Sequence, residues 1–177
     1  MGVSGSSGTR RCTAMHPADL SDDELQGQCE VTRTRRSGPG GQHRNKVETA
    51  VVLEHRPTGV KAEANEERSQ ERNRCVALKR LRVKLALEVR TARESPSERW
   101  LSRVRGGRLV LSAEHEDFPR LLAEALDFLA ANDFEPSPAA EALRVTPSQL
   151  IKLLRSEPKS LALVNAARVA ANRHPLK

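Results

Sequence analysis

A chain of 177 residues has room for one ordinary domain or two small ones. It carries 30 Lys and Arg against 23 Asp and Glu, a net charge of +7, and only three Phe, one Trp and no Tyr. No apolar run approaches a membrane span, and three widely spaced cysteines, Cys12, Cys29 and Cys75, argue against a disulfide framework or a zinc site. The five histidines are equally scattered, so no metal or other cofactor is expected, and a reducing compartment fits the thiols. The charge is uneven: residues 1–108 hold 22 cations and 14 acids, whereas residues 109–177 hold 8 and 9. The first part is therefore the candidate for a polyanion surface, with a generically soluble basic protein as the bland alternative. The aromatics, Trp100, Phe118, Phe128 and Phe134, all fall after position 99. An N-terminal core must then be built from Val, Leu and Ala.

In chain order, "MGVSGSSGTRR" reads as a flexible Gly/Ser leader, extending to about residue 17, although Gly2 and Ser6 also fit a loose myristoylation pattern. "LSDDELQGQ" (20–28) predicts a short helix capped by Ser21, with three acids in its first turn. "CEVTRTR" (29–35) and "VETAVVLEH" (47–55) alternate as strands. "RPTG" (56–59) predicts a type I turn with Pro57 at its first central position, and "VKAEAN" (60–65) a third, antiparallel strand.

From about Arg68 to Ala92 the period becomes helical. Cys75, Leu78, Leu81 and Leu85 form an apolar stripe widened by Val76, Val83 and Ala86, and Arg72, Arg74, Lys79, Arg80, Arg82 and Lys84 form a cationic back. "RESPSE" (93–98) ends this unit. "GGRLVLS" (106–112) predicts a turn and a short extended segment, and residues 117–133 an amphipathic helix with Leu121, Leu122, Ala125, Leu126 and Leu129 inward. "EPSP" breaks it, and three short helices follow. Thr146, Pro147 and Gln149 spell a capping box, and Pro158 opens the last helix. The tight turn at "RVT" invites a helix-turn-helix reading, with Ser148, Gln149, Lys152 and Arg155 on the groove-reading helix; packing or docking is the alternative. The expected organisation is a leader (1–17), an α+β unit with a small, mostly antiparallel sheet on a long basic helix (18–95), a linker (96–108) and a small all-α, helix-turn-helix-like domain (109–177).

The chemistry concentrates in "SGPGGQHRNK" (37–46). Gly38, Gly40 and Gly41 free the backbone for left-handed conformations and close approach. No Walker pattern is present, and the stretch lies between two strands rather than a strand and a helix, which excludes a nucleotide-phosphate loop. A flexible hairpin tip would leave Gln42 and the polar run after it unexplained.

With its surroundings, this stretch resembles the catalytic domain of class I peptide chain release factors. The likeness is carried by four linked motifs over residues 29–90: S-G-P-G-G-Q, the N-K-V-E-T-A strand, the Pro57-Thr58-Gly59 turn, and Glu67-Arg68-Ser69-Gln70 opening the long helix. The resemblance implies hydrolysis of the peptidyl-tRNA ester within the large ribosomal subunit, with Gly40, Gly41 and Gln42 catalytic. The Gln42 backbone N–H would stabilise the tetrahedral oxyanion, a type of contact worth about 10²–10³ in rate. Arg35, Arg36, Ser37, Gly38, Pro39, His43, Arg44, Asn45 and Lys46 would hold the segment against ribosomal RNA or the tRNA acceptor end, joined by Arg68, Ser69 and Gln70. His43 is read as an RNA-contact or structural residue rather than a base. Arg44 stands where the family usually has a small or apolar residue.

The resemblance further implies the ribosome as partner, Gln42 as a candidate for N5-methylation by a methyltransferase, a monomer, and the cytoplasm of a bacterium, with an organelle as the alternative. Codon-reading domains are not expected, which narrows the resemblance to small rescue factors that release peptides without a stop codon. The strongly basic tail common in such factors is missing from residues 155–177, so sensing would fall to the helical domain or a partner. A non-catalytic ribosome- or RNA-binding adaptor is the competing reading. Delivery to split subunits or damaged decoding centres is a third.

Overall fold

The structure, a computed structural model, describes residues 15–34 and 50–177. Most of the expected leader, including Gly2, Ser6 and Cys12, lies outside the described residues. A 3₁₀ turn over Pro17–Asp19 leads into α1 (Asp22–Gly27). Ser21 caps α1 as expected, and the cap is reciprocal. The Glu24 N–H donates to Ser21 Oγ at 3.2 Å and the Ser21 N–H to Glu24 Oε2 at 2.9 Å.

Strands β1 (Cys29–Thr34), β2 (Ala50–His55) and β3 (Lys61–Ala64) form an antiparallel sheet in the order β1-β2-β3. The pleat turns Val51, Leu53, Ala62 and Ala64 to the core. Against that face packs α2 (Gln70–Glu88), through Ala77, Leu78, Leu81, Leu85 and Ala86. Alanines on both surfaces let a nineteen-residue helix sit close to a sheet that has no aromatic side chain to bury.

Three local expectations are corrected here. The turn before β3 starts at His55, not Arg56: the His55 carbonyl accepts from the Thr58 N–H at 3.2 Å and the Gly59 N–H at 2.8 Å. Pro57 is thus a second central residue. The buried His55 ring sets this register by bonding Thr58 Oγ1 at 2.7 Å and Gln28 Oε1 at 2.9 Å, and Gly59 supplies the positive φ of +71° that reverses the chain. Cys75 is exposed and leaves the apolar stripe, its place on the inner face being taken by the buried Asn73. Arg82, expected on the cationic back, is buried. Its guanidinium donates to the Ala18 carbonyl at 2.7 Å and pairs with Asp22 at 2.6 Å, tying the 3₁₀ turn and α1 to α2.

The stretch expected as a linker is folded. Helix α3 (Glu98–Arg103) buries Trp100 completely, its indole N–H donating to the Leu143 carbonyl at 2.8 Å. A two-stranded hairpin follows, β4 (Val104–Arg105) and β5 (Arg108–Leu109), turning on Gly106 and Gly107 with φ of +54° and +75°. Two consecutive positive φ values are what a two-residue hairpin loop of type I′ requires.

Helix α4 (Phe118–Ala131) buries all five expected inward residues and packs on α2. The chain then breaks at Asp133 and Phe134, both left-handed, so "EPSP" starts the next helix as much as it ends α4. Helices α5 (Pro136–Ala142), α6 (Pro147–Arg155) and α7 (Pro158–Ala170) complete the expected three. Only half of the expected box at α6 forms. Thr146 Oγ1 accepts from the Gln149 N–H, but the Thr146 N–H donates to the Gly107 carbonyl at 3.1 Å, which removes the donor that Gln149 would have served. The buried apolar side chains from the sheet through α2 and α4 to α7 form one continuous core among the described residues. The α+β class read from the sequence is the observed one. No described helix is long and apolar enough to cross a membrane.

A pH prediction follows from His16, which is 1% exposed at the start of the fold. Its Nδ1 accepts from the Ala18 N–H at 3.0 Å, which leaves the proton on Nε2, facing the Val89 carbonyl at 3.2 Å. Burial lowers its pKa below 6.5, opposed in part by the Asp127 charge. Burial lowers that of His55 as well. The unfolded chain therefore binds more protons as pH falls through the ordinary histidine range, and stability is lost as pH drops below about 6.5. Thermal midpoints measured between pH 7.5 and 5 should fall, and His16→Gln should flatten that dependence.

Candidate functional site

The sheet has the 35–49 connection and the approach to α2 at one end, and the Pro57-Thr58-Gly59 turn at the other. Thr34, the last residue of β1, is the Cα partner of Ala50, the first residue of β2. The connection through residues 35–49 therefore leaves and re-enters the sheet at a single place. Arg35, Arg36, Ser37, Gly38, Pro39, Gly40, Gly41, Gln42, His43, Arg44, Asn45 and Lys46 all lie in that connection, outside the described residues.

Strand β3 ends at the same place, since Ala64 pairs with Val51. Helix α2 then runs back antiparallel to β3: Arg80 Nη1 donates to the Glu63 carbonyl at 2.8 Å, and Lys84 Nζ to the Lys61 carbonyl at 2.6 Å. Ten residues separate Arg80 from Gln70, about 15 Å along the helix, so from the level of Glu63 the start of α2 projects past the end of β3 at Ala64. Arg68, Ser69 and Gln70 sit on that overhang, all exposed. They are the predicted site residues that the structure describes, and it gathers them beside the strand ends that flank residues 35–49.

Local chemistry explains why the helix begins here. Ser69 has extended backbone and its Oγ accepts from the Arg72 N–H at 3.4 Å, a weak N-cap bond. A firmer support is Asn73, fully buried, whose amide both accepts from the Glu67 N–H and donates to the Glu67 carbonyl, each at 2.9 Å. This clamp fixes the path of residues 67–70 against the first turn of α2. Sequence reading missed it, because an Asn in a helix ordinarily marks the solvent face. The only signal was its position, four residues before Ala77 and eight before Leu81 on the buried stripe.

Replacing Asn73 by Ala removes the clamp and leaves the Glu67 backbone groups without their side-chain partner. The expected cost is about 1–3 kcal/mol of stability, measurable by denaturant titration.

The cationic back of α2 is partly neutralised in place. Arg80 pairs with Glu66 at 2.7 Å and Arg72 with Glu67 at 3.8 Å. The Arg80 hydrogen bond holds the Glu66 carboxyl below its usual pKa. These exposed pairs contribute little to stability, but they direct charge away from the 65–67 segment and leave Arg68, which has no ion pair among the described residues, facing solvent at the overhang. Such a surface offers point charges and a helix N-terminus to phosphates, with no acid–base pair of its own. Among the described residues, no group of three His, Cys, Asp or Glu side chains is placed to hold a metal ion.

The RF-1 domain model matches residues 20–112, more than half of the chain, from α1 through the sheet and α2 to the hairpin β4–β5. The chain belongs to the class I peptide chain release factor family. Similar curated relatives include peptide chain release factor 1 of Xylella fastidiosa, 46% identical over 72 residues, covering 41% of this chain and 18% of that protein. Peptide chain release factor 1 of Acidiphilium cryptum is 52% identical over 58 residues, covering 33% of this chain and 16% of the relative. That of Geobacter sulfurreducens is 45% identical over 71 residues, 40% and 18% respectively. This family member thus spans less than a fifth of the length of the relatives it matches.

Proposed function

We propose that this protein hydrolyses the ester joining a nascent peptide to its tRNA on the ribosome, and that it does so without reading a stop codon. The observation that carries this reading is the Gly40-Gly41-Gln42 tripeptide in the connection between the paired strand ends Thr34 and Ala50, on a chain of the release-factor family. In the proposed roles, the Gln42 backbone N–H donates to the oxyanion of the tetrahedral intermediate and its side-chain amide shapes the space for water. Gly40 and Gly41 admit the backbone to a crowded RNA cavity. Arg35, Arg36, Ser37, Gly38, Pro39, His43, Arg44, Asn45 and Lys46 position that segment by polar and phosphate contacts, with Arg68, Ser69 and Gln70 beside it on the overhang of α2. Residues 18–95 are the proposed catalytic unit and residues 109–177 an accessory helical unit.

The codon-independent reading draws support from Ser95-Pro96-Ser97, a tripeptide of the S-P-x form. Ser97 caps α3 and gives its N–H and hydroxyl to Glu124 at 2.6 and 2.7 Å, so it is consumed by packing. The proposed partners are large-subunit ribosomal RNA and the tRNA acceptor end, met by a monomer in the cytoplasm of a bacterium, with Gln42 as a substrate for N5-methylation.

The test is peptide release from ribosomes holding peptidyl-tRNA on three messages: one truncated at the decoding site, one with a stop codon there, and one extended past it. Release on the truncated message, independent of a stop codon, is expected. Release only at a stop codon would overturn the codon-independent reading. Salt-sensitive ribosome binding without release on any message would overturn the hydrolase in favour of an adaptor.

A further inference from the structure

The C-terminal region has almost no net charge, yet the fold concentrates cations within it. Residues 99–113 and 142–156 contain no Asp or Glu. These two stretches meet where the Thr146 N–H donates to the Gly107 carbonyl, and a Cβ at Gly107 would lie 3.7 Å from the Thr146 methyl. Arg99 and Arg103 of the first stretch are engaged by Asp117. Arg105 and Arg108, at the hairpin tip, and Arg144, two residues before the Thr146 cap, are exposed and form no ion pair among the described residues.

Local physics disfavours arginine at these places. Arg105 and Arg108 are direct cross-strand partners, where like charges repel. Arg144 holds φ of +57° at the end of α5, a position that ordinarily takes glycine. Three guanidinium groups with no ion pair among the described residues thus stand around one backbone hydrogen bond against those preferences. Ser148, Lys152 and Arg155, spaced four and three apart and exposed, continue the cationic surface along α6.

We infer that the hairpin tip β4–β5 with Arg144 and α6 is a second nucleic-acid contact, which grips the phosphate backbone of double-helical RNA. A polyanion is indicated by charge complementarity. Base stacking is not available, because Trp100, Phe118 and Phe128 are buried and Phe134 is half-buried beside the core, so the contact reads backbone and shape rather than unpaired bases. The choice of RNA over DNA rests on the proposed ribosomal function; the cation cluster does not.

The test is binding of the full chain to a labelled RNA duplex of about 16 base pairs, its DNA counterpart and a single strand, across a salt series. Arg105→Ala/Arg108→Ala/Arg144→Ala should weaken RNA-duplex binding by about tenfold or more and lower the slope of log affinity against log salt by about two to three. The matching triple Lys variant should retain most of the affinity, which separates charge from any change in folding. Unchanged affinity and slope in the Ala variant would overturn the contact. Equal or tighter binding of the DNA duplex would overturn RNA as its occupant. The duplex measurement needs no ribosome, so it stands or falls independently of the peptide-release assay.

Discussion

Replacing Gly41 with Ala is expected to slow peptide release at saturating protein by about 10²–10³-fold, the magnitude of losing one oxyanion donor, while ribosome affinity stays unchanged. Transition-state stabilisation and binding separate because different groups carry them. In the proposed chemistry a single backbone N–H, that of Gln42, meets the negative oxygen that exists only during reaction, so its displacement should lower the rate constant without weakening the ground-state complex. In the proposed roles, phosphate contacts from Arg35, Arg36 and Lys46, and from Arg68 before α2, hold the protein in place. An added Cβ biases the backbone towards negative φ and occupies space on the side that faces RNA. His43→Ala is the matched control: with no protein base in the proposed chemistry, it should leave the maximal rate within the same order of magnitude. Single-turnover release measured against salt-dependent ribosome binding separates the two quantities. A loss of binding that tracks the loss of rate would place Gly41 in docking instead of chemistry.

The sequence revealed the elements of the N-terminal half well, because each was written in a strong local code. Ser21 as a cap, alternation through Val51 and Leu53, and the leucines of α2 each specify their element within a few residues. The sequence order of the motifs also sufficed to place residues 35–49 between two strands. Three things were not legible, all for the same reason: they depend on partners far away along the chain. Arg82 read as a surface residue and Asn73 gave no signal of its own, and only the approach of Glu67, Ala18 and Asp22 gives their polar groups buried partners. Residues 96–108 read as a linker because Pro, Ser and Gly dominate the local signal, while Trp100 finds its pocket against α5, some forty residues on. The overhang of α2 past the strand ends follows from register between helix and sheet, which no periodicity in either segment encodes.

The acids on α4 supply the second large effect. The sequence shows an apolar face at Leu121, Leu122, Ala125, Leu126 and Leu129, and gives no reason to bury Glu124 and Asp127 beside it. The fold does so to fasten the segment between α2 and α3. The Asp127 carboxylate accepts from the Thr91 N–H at 2.9 Å, the Thr91 hydroxyl at 2.7 Å and Arg93 Nε at 2.8 Å, with its side chain fully excluded from solvent. Arg93 continues to Asp19 at 2.5 Å, so a single guanidinium bridges the 3₁₀ turn and α4. Glu124 holds Ser97 in the same way, although burial raises its pKa. Asp127→Ala leaves the Thr91 N–H without its acceptor and Arg93 with half of its compensation in a site only 15% exposed. The expected loss is about 3–5 kcal/mol, which for a domain of this size lowers the thermal midpoint by roughly 10 °C. The net worth of the pair is much smaller than that, because removing one partner also exposes the desolvation cost of the other. Asp19→Asn/Arg93→Met/Asp127→Leu, which deletes the Arg93 charge together with both carboxylates it pairs with, should therefore recover most of the stability lost in Asp127→Ala. Calorimetry on the wild type, the single and the triple variant decides the matter. If the triple variant is as unstable as the single one, the joint is held by its hydrogen bonds to Thr91 and the charges are secondary.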